Sequence, residues 1–207
     1  MASFLSKKQI YVATGNPNKA KNSLAVLSKI FDNVSHYSLE LPEIQSLDLE
    51  EVVRHKLQFA LGDFKIDKNG NDRDESENSY LIVEDISLEF EALGRLPGTF
   101  IKFFCSELGL DKMCRLLDGL EGLGRKAKVK CVIGLAKIGE KNMENAKFFS
   151  SELNGEISNE PKGNGGFGFD KIFIPEGYNN KTAGELNGIE YSRYFAEIRK
   201  YENLMKN

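Results

Sequence analysis

Three separated stretches of this chain combine residue types that can handle a charged ligand. In the first, Thr14-Gly15-Asn16-Pro17-Asn18-Lys19, a short apolar run stops at a glycine turn and a helix starts at once. Asn16 is a favoured N-cap and Pro17 suits the first helical position. Lys19 then falls in the first turn, where the helix dipole disfavours a cation. An anion such as phosphate, bound at the free N–H groups of the helix start, would account for it; an ordinary turn with a solvated lysine is the alternative. In the second stretch the apolar residues 80–83 run into Glu84-Asp85. Ligands of open α/β sheets sit at the carboxyl ends of strands, and acids there can hold Mg²⁺ or activate a water; a strand ending in solvent is the other reading. In the third, Lys162 to Asp170, glycines surround Phe167 and Phe169. Two rings on a glycine loop suit stacking on a flat base, with Asp170 able to receive hydrogens from a base edge. A tight turn with two core phenylalanines remains open.

The elements that must position these residues follow from periodicity. Residues 10–13 predict a strand. Ala20, Leu24, Leu27 and Phe31 recur at helical spacing and predict a helix over 17–31. A strand over 36–41 completes a β-α-β start, which favours an α/β fold. Asp48 and Glu51 match an N-cap and its N3 partner, opening a helix that runs to 64 with Leu49, Val52, Val53, Leu57, Ala60, Leu61 and Phe64 on one stripe. Lys56 projects inside that stripe. It needs an anionic partner or a route to water, so it is a second candidate phosphate ligand or a snorkelling lysine.

Residues 67–79 are polar and charged and read as a surface insertion. Residues 93–98 form a turn, with Thr99 as cap of a helix whose apolar face is Phe100, Phe103, Phe104 and Leu108; Lys102 points away from that face. A short helix over 111–117 and a glycine-rich link over 119–124 precede an antiparallel hairpin of 127–138 and 146–153, joined through 139–145. Lys126, Lys128 and Lys130 alternate on one face of its first strand, read as a solvated or edge face in preference to a nucleic-acid patch. A strand over 172–174 follows, and Tyr191, Tyr194, Phe195, Ile198 and Met205 mark a last amphipathic helix.

At 207 residues the chain reads as one domain, 1–207, large enough for a real core. A net charge of −3 argues against nucleic-acid binding through bulk positive charge. No apolar run reaches the ~20 residues of a membrane span, and residues 1–8 lack a signal-peptide segment. Three unpaired cysteines, Cys105, Cys114 and Cys131, read as reduced, which points to the cytoplasm. Only two histidines are present, so any metal would be a hard cation held by carboxylates. There is no P-loop and no dinucleotide-binding glycine motif after a strand.

Taken together, Thr14 to Lys19, then Val83-Glu84-Asp85 through Leu96-Pro97-Gly98 and Ile101-Lys102-Phe103, then Gly166 to Asp170 through Tyr178, resemble the inosine triphosphate pyrophosphatase family. That family hydrolyses deaminated purine nucleoside triphosphates. The resemblance implies an elongated, two-lobed α/β fold around a long mixed sheet with flanking helices, a homodimer, and a cleft between the lobes. It implies that Thr14, Asn16, Lys19, Lys56 and Lys102 contact the triphosphate, overruling the periodicity of Lys102. Glu43 and Asp85, with Glu84 near, would surround Mg²⁺ (or Mn²⁺) and the attacking water, making Asp85 and Lys19 the catalytic residues. Phe167, Phe169 and Asp170 would form the base pocket, with Ser192 on its far wall.

The chain also departs from the family pattern. Asn22 stands where a glutamate is usual, Ser192-Arg193-Tyr194 where Ser-His-Arg is usual, and the segment 185–191 is short and lacks a lysine. Arg193 is the residue available to take over part of the lost base recognition. A nucleotide-binding protein with reduced catalysis, or a pyrophosphatase with altered base preference, is the alternative.

Overall fold

The computed structural model describes residues 7–64, 79–120, 124–139 and 143–205. Most of the 67–79 insertion, part of the 119–124 link and part of the 139–145 turn lie outside the described residues, as do residues 1–6. Ser79 is described, and it is the buried first residue of a strand rather than part of the insertion.

β1 (Gln9–Ala13), α1 (Pro17–Leu27) and β2 (Asn33–Tyr37) form the expected parallel β-α-β unit. Asn16 caps α1, its Oδ1 accepting from the N–H groups of Asn18 and Lys19 at 2.9 and 3.1 Å. α1 ends at Leu27, four residues before the predicted end. Leu27 and the turn beyond it still bury Phe31. β2 stops at Tyr37 rather than Leu41, where its pairing with β1 runs out at Ala13, and the freed residues Glu40 and Leu41 go on to line the cleft described below. α2 (Leu49–Phe64) has the predicted stripe, with Lys56 buried among the apolar residues.

β3 (Ser79–Phe90) is the long central strand. The sheet order is β2-β1-β3-β5-β6-β7, with β4 (Pro97–Gly98) also pairing to β3. β1, β2 and β3 are parallel, while β4, β5 (Lys126–Lys137), β6 (Lys147–Ile157) and β7 (Phe173–Pro175) pair antiparallel, so the sheet is mixed. β5 and β6 are the predicted hairpin. On a half-buried face of it Lys128 pairs with Glu152 and Lys130 with Glu89; β5 lies between β3 and β6, so this is no sheet edge.

Thr99 does not cap the helix after the turn. Its hydroxyl donates to the Ser46 carbonyl instead. That segment is one short α-turn, α3 (Ile101–Phe103), followed by a π-helical turn to Leu108 and then α4 (Leu110–Arg115). Its buried residue is Ile101, and Phe103 is exposed. α5 (Gly188–Arg199) is capped by Asn187 and ends at Lys200 in the left-handed region, before a 3₁₀ turn over Tyr201–Met205. No described helix is long and apolar enough to cross a membrane.

Side chains alternate across the sheet. Leu81 and Val83 pack with α2 on one face, while Ile82, Leu88 and the β5 residues Val129, Cys131 and Ile133 pack with α1, α4 and α5 on the other. This alternation places Glu84 and Asp85 on opposite faces.

Candidate active site

Glu84 and Asp85 are not at a strand end; β3 continues five residues past Asp85. The strand end that matters is that of β1. Its parallel pairing with β3 stops at Val12 opposite Ile82, and β4 picks up the same edge of β3 only at Leu88. Between those points residues 83–87 have β5 on one side alone, and a cleft opens there. The rule that ligands sit at the carboxyl ends of parallel strands therefore holds for β1, whose end carries Thr14.

Three lysines from three elements converge on the acids of this cleft. Lys56, from α2, is 4 % exposed, and its Nζ donates to Glu43 Oε1 at 2.9 Å and Asp85 Oδ2 at 2.8 Å. Lys19, from α1, donates to Asp85 Oδ1 at 3.3 Å. Lys102, 73 % exposed, reaches within 3.9 Å of Glu43 Oε1. Lys102 is thus solvated, as its periodicity implies, yet also lines the cleft, as the resemblance implies. Burial opposes ionisation of Asp85, but the Lys19 and Lys56 ammonium groups and the Ile86 N–H outweigh it and hold its carboxyl below the usual range. Burial likewise opposes the Lys56 charge, and Asp85 and Glu43 overcome it and raise its pKa. Thr14 is buried at the cleft wall, its Oγ1 accepting from the Asn16 N–H at 3.1 Å. Gly15 lets Glu40 close over this turn, since a Cβ there would meet Glu40 Oε1 at 2.2 Å.

Glu84 faces the other way. Both its oxygens accept from Arg199 Nε, at 3.0 and 2.8 Å, and Oε2 accepts from the Tyr201 hydroxyl at 2.5 Å. Burial raises its pKa, but the Arg199 guanidinium prevails and keeps the carboxyl ionised.

The glycine loop lines the same cleft through Phe167, Gly168 and Phe169, with Tyr191 and Tyr194 from α5. Asp170 braces this loop: it accepts from the Phe167 N–H at 2.8 Å and the hydroxyls of Tyr191 and Tyr194 at 2.7 and 3.2 Å. Burial pushes its pKa up despite those bonds. The structure therefore brings Thr14, Asn16, Lys19, Glu43, Lys56, Glu84, Asp85, Lys102, Phe167, Phe169 and Asp170 to one cleft. Ser192 and Arg193 are not among its lining residues. Arg193 is exposed on α5, its guanidinium 4.7 Å from the Tyr178 ring centroid and its Nε donating to the Tyr178 hydroxyl at 3.3 Å.

Lysines, carboxylates and aromatic rings thus line one cleft. The sequence model of the Ham1 family matches residues 10–199. The chain belongs to the Ham1 family. Within it, the chain is 34% identical over 200 residues to a dITP/XTP pyrophosphatase of Ignicoccus hospitalis, covering 97% of this chain and 96% of that one. It is 32% identical over 190 residues to inosine triphosphate pyrophosphatase 1 of Trypanosoma cruzi, covering 91% and 86%. The solved HAM1 protein of Coxiella burnetii superposes with a TM-score of 0.73 at 21% identity, over 96% of this chain and 97% of that one, so the Ham1 fold is shared.

Sequence reasoning did not single out Glu40, Tyr191 or Arg199 as cleft residues. Arg199 had a usable signal: it stands four residues after Phe195 and one after Ile198, at the margin of the α5 apolar stripe, the same kind of placement that exposed Lys56.

Proposed function

We propose that this Ham1-family protein hydrolyses deaminated purine nucleoside triphosphates (ITP, dITP and XTP) to the nucleoside monophosphate and pyrophosphate. The observation that carries this reading is Asp85 held ionised between Lys19 and Lys56 in a cleft that an aromatic glycine loop also lines. Lys19, Lys56 and Lys102 would bind the triphosphate oxygens, and Phe167 and Phe169 would stack on the base. Asp85 would orient a water and take its proton as the water oxygen bonds to the α-phosphorus. The bond from the α-phosphorus to the bridging oxygen then breaks and pyrophosphate leaves, its charge matched by the lysines.

The described residues hold no cluster of three or more potential metal ligands, so Mg²⁺ would be bound by two carboxylates together with the substrate's phosphates. Glu43 and Asp85 offer hard oxygens, and although Lys56 bonds both and Lys19 and the Ile86 N–H also bond Asp85, Mg²⁺ is commonly held by one or two carboxylates plus substrate phosphates, which would draw the lysines off the acids. Glu84 fits less well, because Arg199 and Tyr201 already occupy it. When bound, the ion would neutralise phosphate oxygens, and Mn²⁺ takes the same donors. A homodimer located in the cytoplasm completes the reading; light scattering tests the first and fractionation the second.

The deciding experiment incubates purified protein with ITP, XTP, dITP, dUTP, GTP and ATP in Mg²⁺ and measures released pyrophosphate. Release from ITP and XTP well above ATP supports the reading, and absence of pyrophosphate from every substrate sinks it. A second reading, altered base preference or nucleotide binding with reduced catalysis, is favoured by Arg193 standing outside the cleft. Nucleotide binding without pyrophosphate release, or turnover led by dUTP, would support that one instead.

A further inference from the structure

We infer that Arg199 reads the nucleobase, its free Nη2 donating to a carbonyl oxygen on the base edge. This rests on the cleft being a nucleotide site and names the group that selects the base. Arg199 is 2% exposed and lines the cleft together with Phe167, Phe169 and Tyr191. Its Nε is committed to Glu84 and its Nη1 to the Phe195 carbonyl at 3.5 Å. Nη2 is buried and has no hydrogen-bond partner among the described residues. Buried donors are almost always paired, so one left open at a cleft wall asks for a ligand atom.

A guanidinium only donates, so that atom is an acceptor. The 6-oxygen of hypoxanthine or xanthine qualifies, whereas the 6-amino group of adenine presents hydrogens. Phosphate is the weaker match, because the Arg199 charge is already balanced by Glu84 and the guanidinium lies over the Phe195 ring. The donor is also rigid: the Glu84 pair holds one edge and the Phe195 ring, 3.4 Å from Cζ, holds one face. Arg193, by contrast, is engaged with Tyr178 outside the cleft.

The test is calorimetric binding of IMP, AMP and purine riboside monophosphate, which lacks the 6-oxygen, so that no turnover is needed. On the unmodified protein IMP binds at least about tenfold tighter than the other two, since a site built to hydrogen-bond one group rejects analogues that leave it unpaired. Arg199→Lys keeps a cation beside Glu84 but removes Nη2; it brings IMP down to the level of AMP while inorganic pyrophosphate binds as before. Equal binding of IMP and purine riboside monophosphate by the unmodified protein overturns the role of Arg199 and needs no variant to fold. An IMP preference that survives Arg199→Lys but disappears in Arg193→Ala overturns it too. Failure of every nucleotide to bind sinks the nucleotide cleft itself, a different outcome from binding without discrimination.

Discussion

Lys56 Nζ donates to Asp85 Oδ2 over 2.8 Å, tying the middle of α2 to the central strand at the point where that strand has a neighbour on one side only. The bond does two things at once. It gives a lysine on a buried helix face the anion it requires, and it fixes a carboxylate in its charged form at the cleft floor. On the proposed function, a triphosphate entering here would meet an ammonium group already largely desolvated.

Asp85→Asn keeps the shape and one acceptor for Lys56 but removes the negative charge and the proton acceptor. Pyrophosphate release should fall by about 10²- to 10⁴-fold, the span of a lost general base, while circular dichroism and nucleotide binding persist. Turnover close to that of the unmodified protein would remove Asp85 from the reaction.

Lys56→Met fills the same stripe with an apolar chain of similar length. Asp85 keeps Lys19 but loses a buried donor, so urea denaturation should give a loss of about 1–3 kcal/mol. The same variant should bind inorganic tripolyphosphate more weakly and IMP nearly normally. An equal loss for both ligands would mean that Lys56 supports the cleft wall and does not touch phosphate.

Much of this was legible in the sequence because the signals were local. The N-cap at Asn16, the α2 stripe with its misplaced lysine and the β5–β6 hairpin all depend on neighbours within a few residues, and all are present. The extent of β3 was not legible. Acids interrupt an apolar run and suggest an end, but the ladder to β5 from Tyr80 to Phe90 carries the strand through them, and partners 115 and 117 residues away, Arg199 and Tyr201, neutralise Glu84. Thr99 misled for a similar reason. Its hydroxyl found the Ser46 carbonyl, 53 residues distant, in place of a helix N–H.

The acid side of the stability profile follows from Glu84 and Asp85. Burial works against both carboxylates, but Arg199 on one and Lys19 with Lys56 on the other hold their pKa values below the usual range. Unfolding therefore takes up protons in acid. Their stabilisation is complete above the ordinary carboxylate values of about 4 and is lost as pH falls through the depressed folded values. Glu84→Gln strands the buried Arg199 charge and should cost about 3–5 kcal/mol at pH 7. Its deficit should narrow as pH drops, because the unmodified protein then loses what the variant never had. Melting curves from pH 7 to 3 that stay parallel would contradict this account.

Gly166→Ala addresses the loop without touching a ring or a charge. Gly166 has φ +70°, and a Cβ there would lie 2.6 Å from both Cβ and Oδ2 of Asp170. Asp170 Oδ2 is the atom that accepts from the Phe167 N–H and the Tyr191 hydroxyl, so the loop must move to admit a methyl group. Strain of this kind costs about 1–3 kcal/mol, and it should appear as weaker nucleotide binding, about 5- to 100-fold in KM, with turnover at saturation little changed. Phe167→Ala should weaken binding by a similar factor through lost stacking, about 1–3 kcal/mol per base. Combined, the two changes should fall well short of additive, because a displaced loop no longer presents the ring whose removal is being measured. Full additivity would mean that Asp170 holds the loop for reasons unconnected with Phe167.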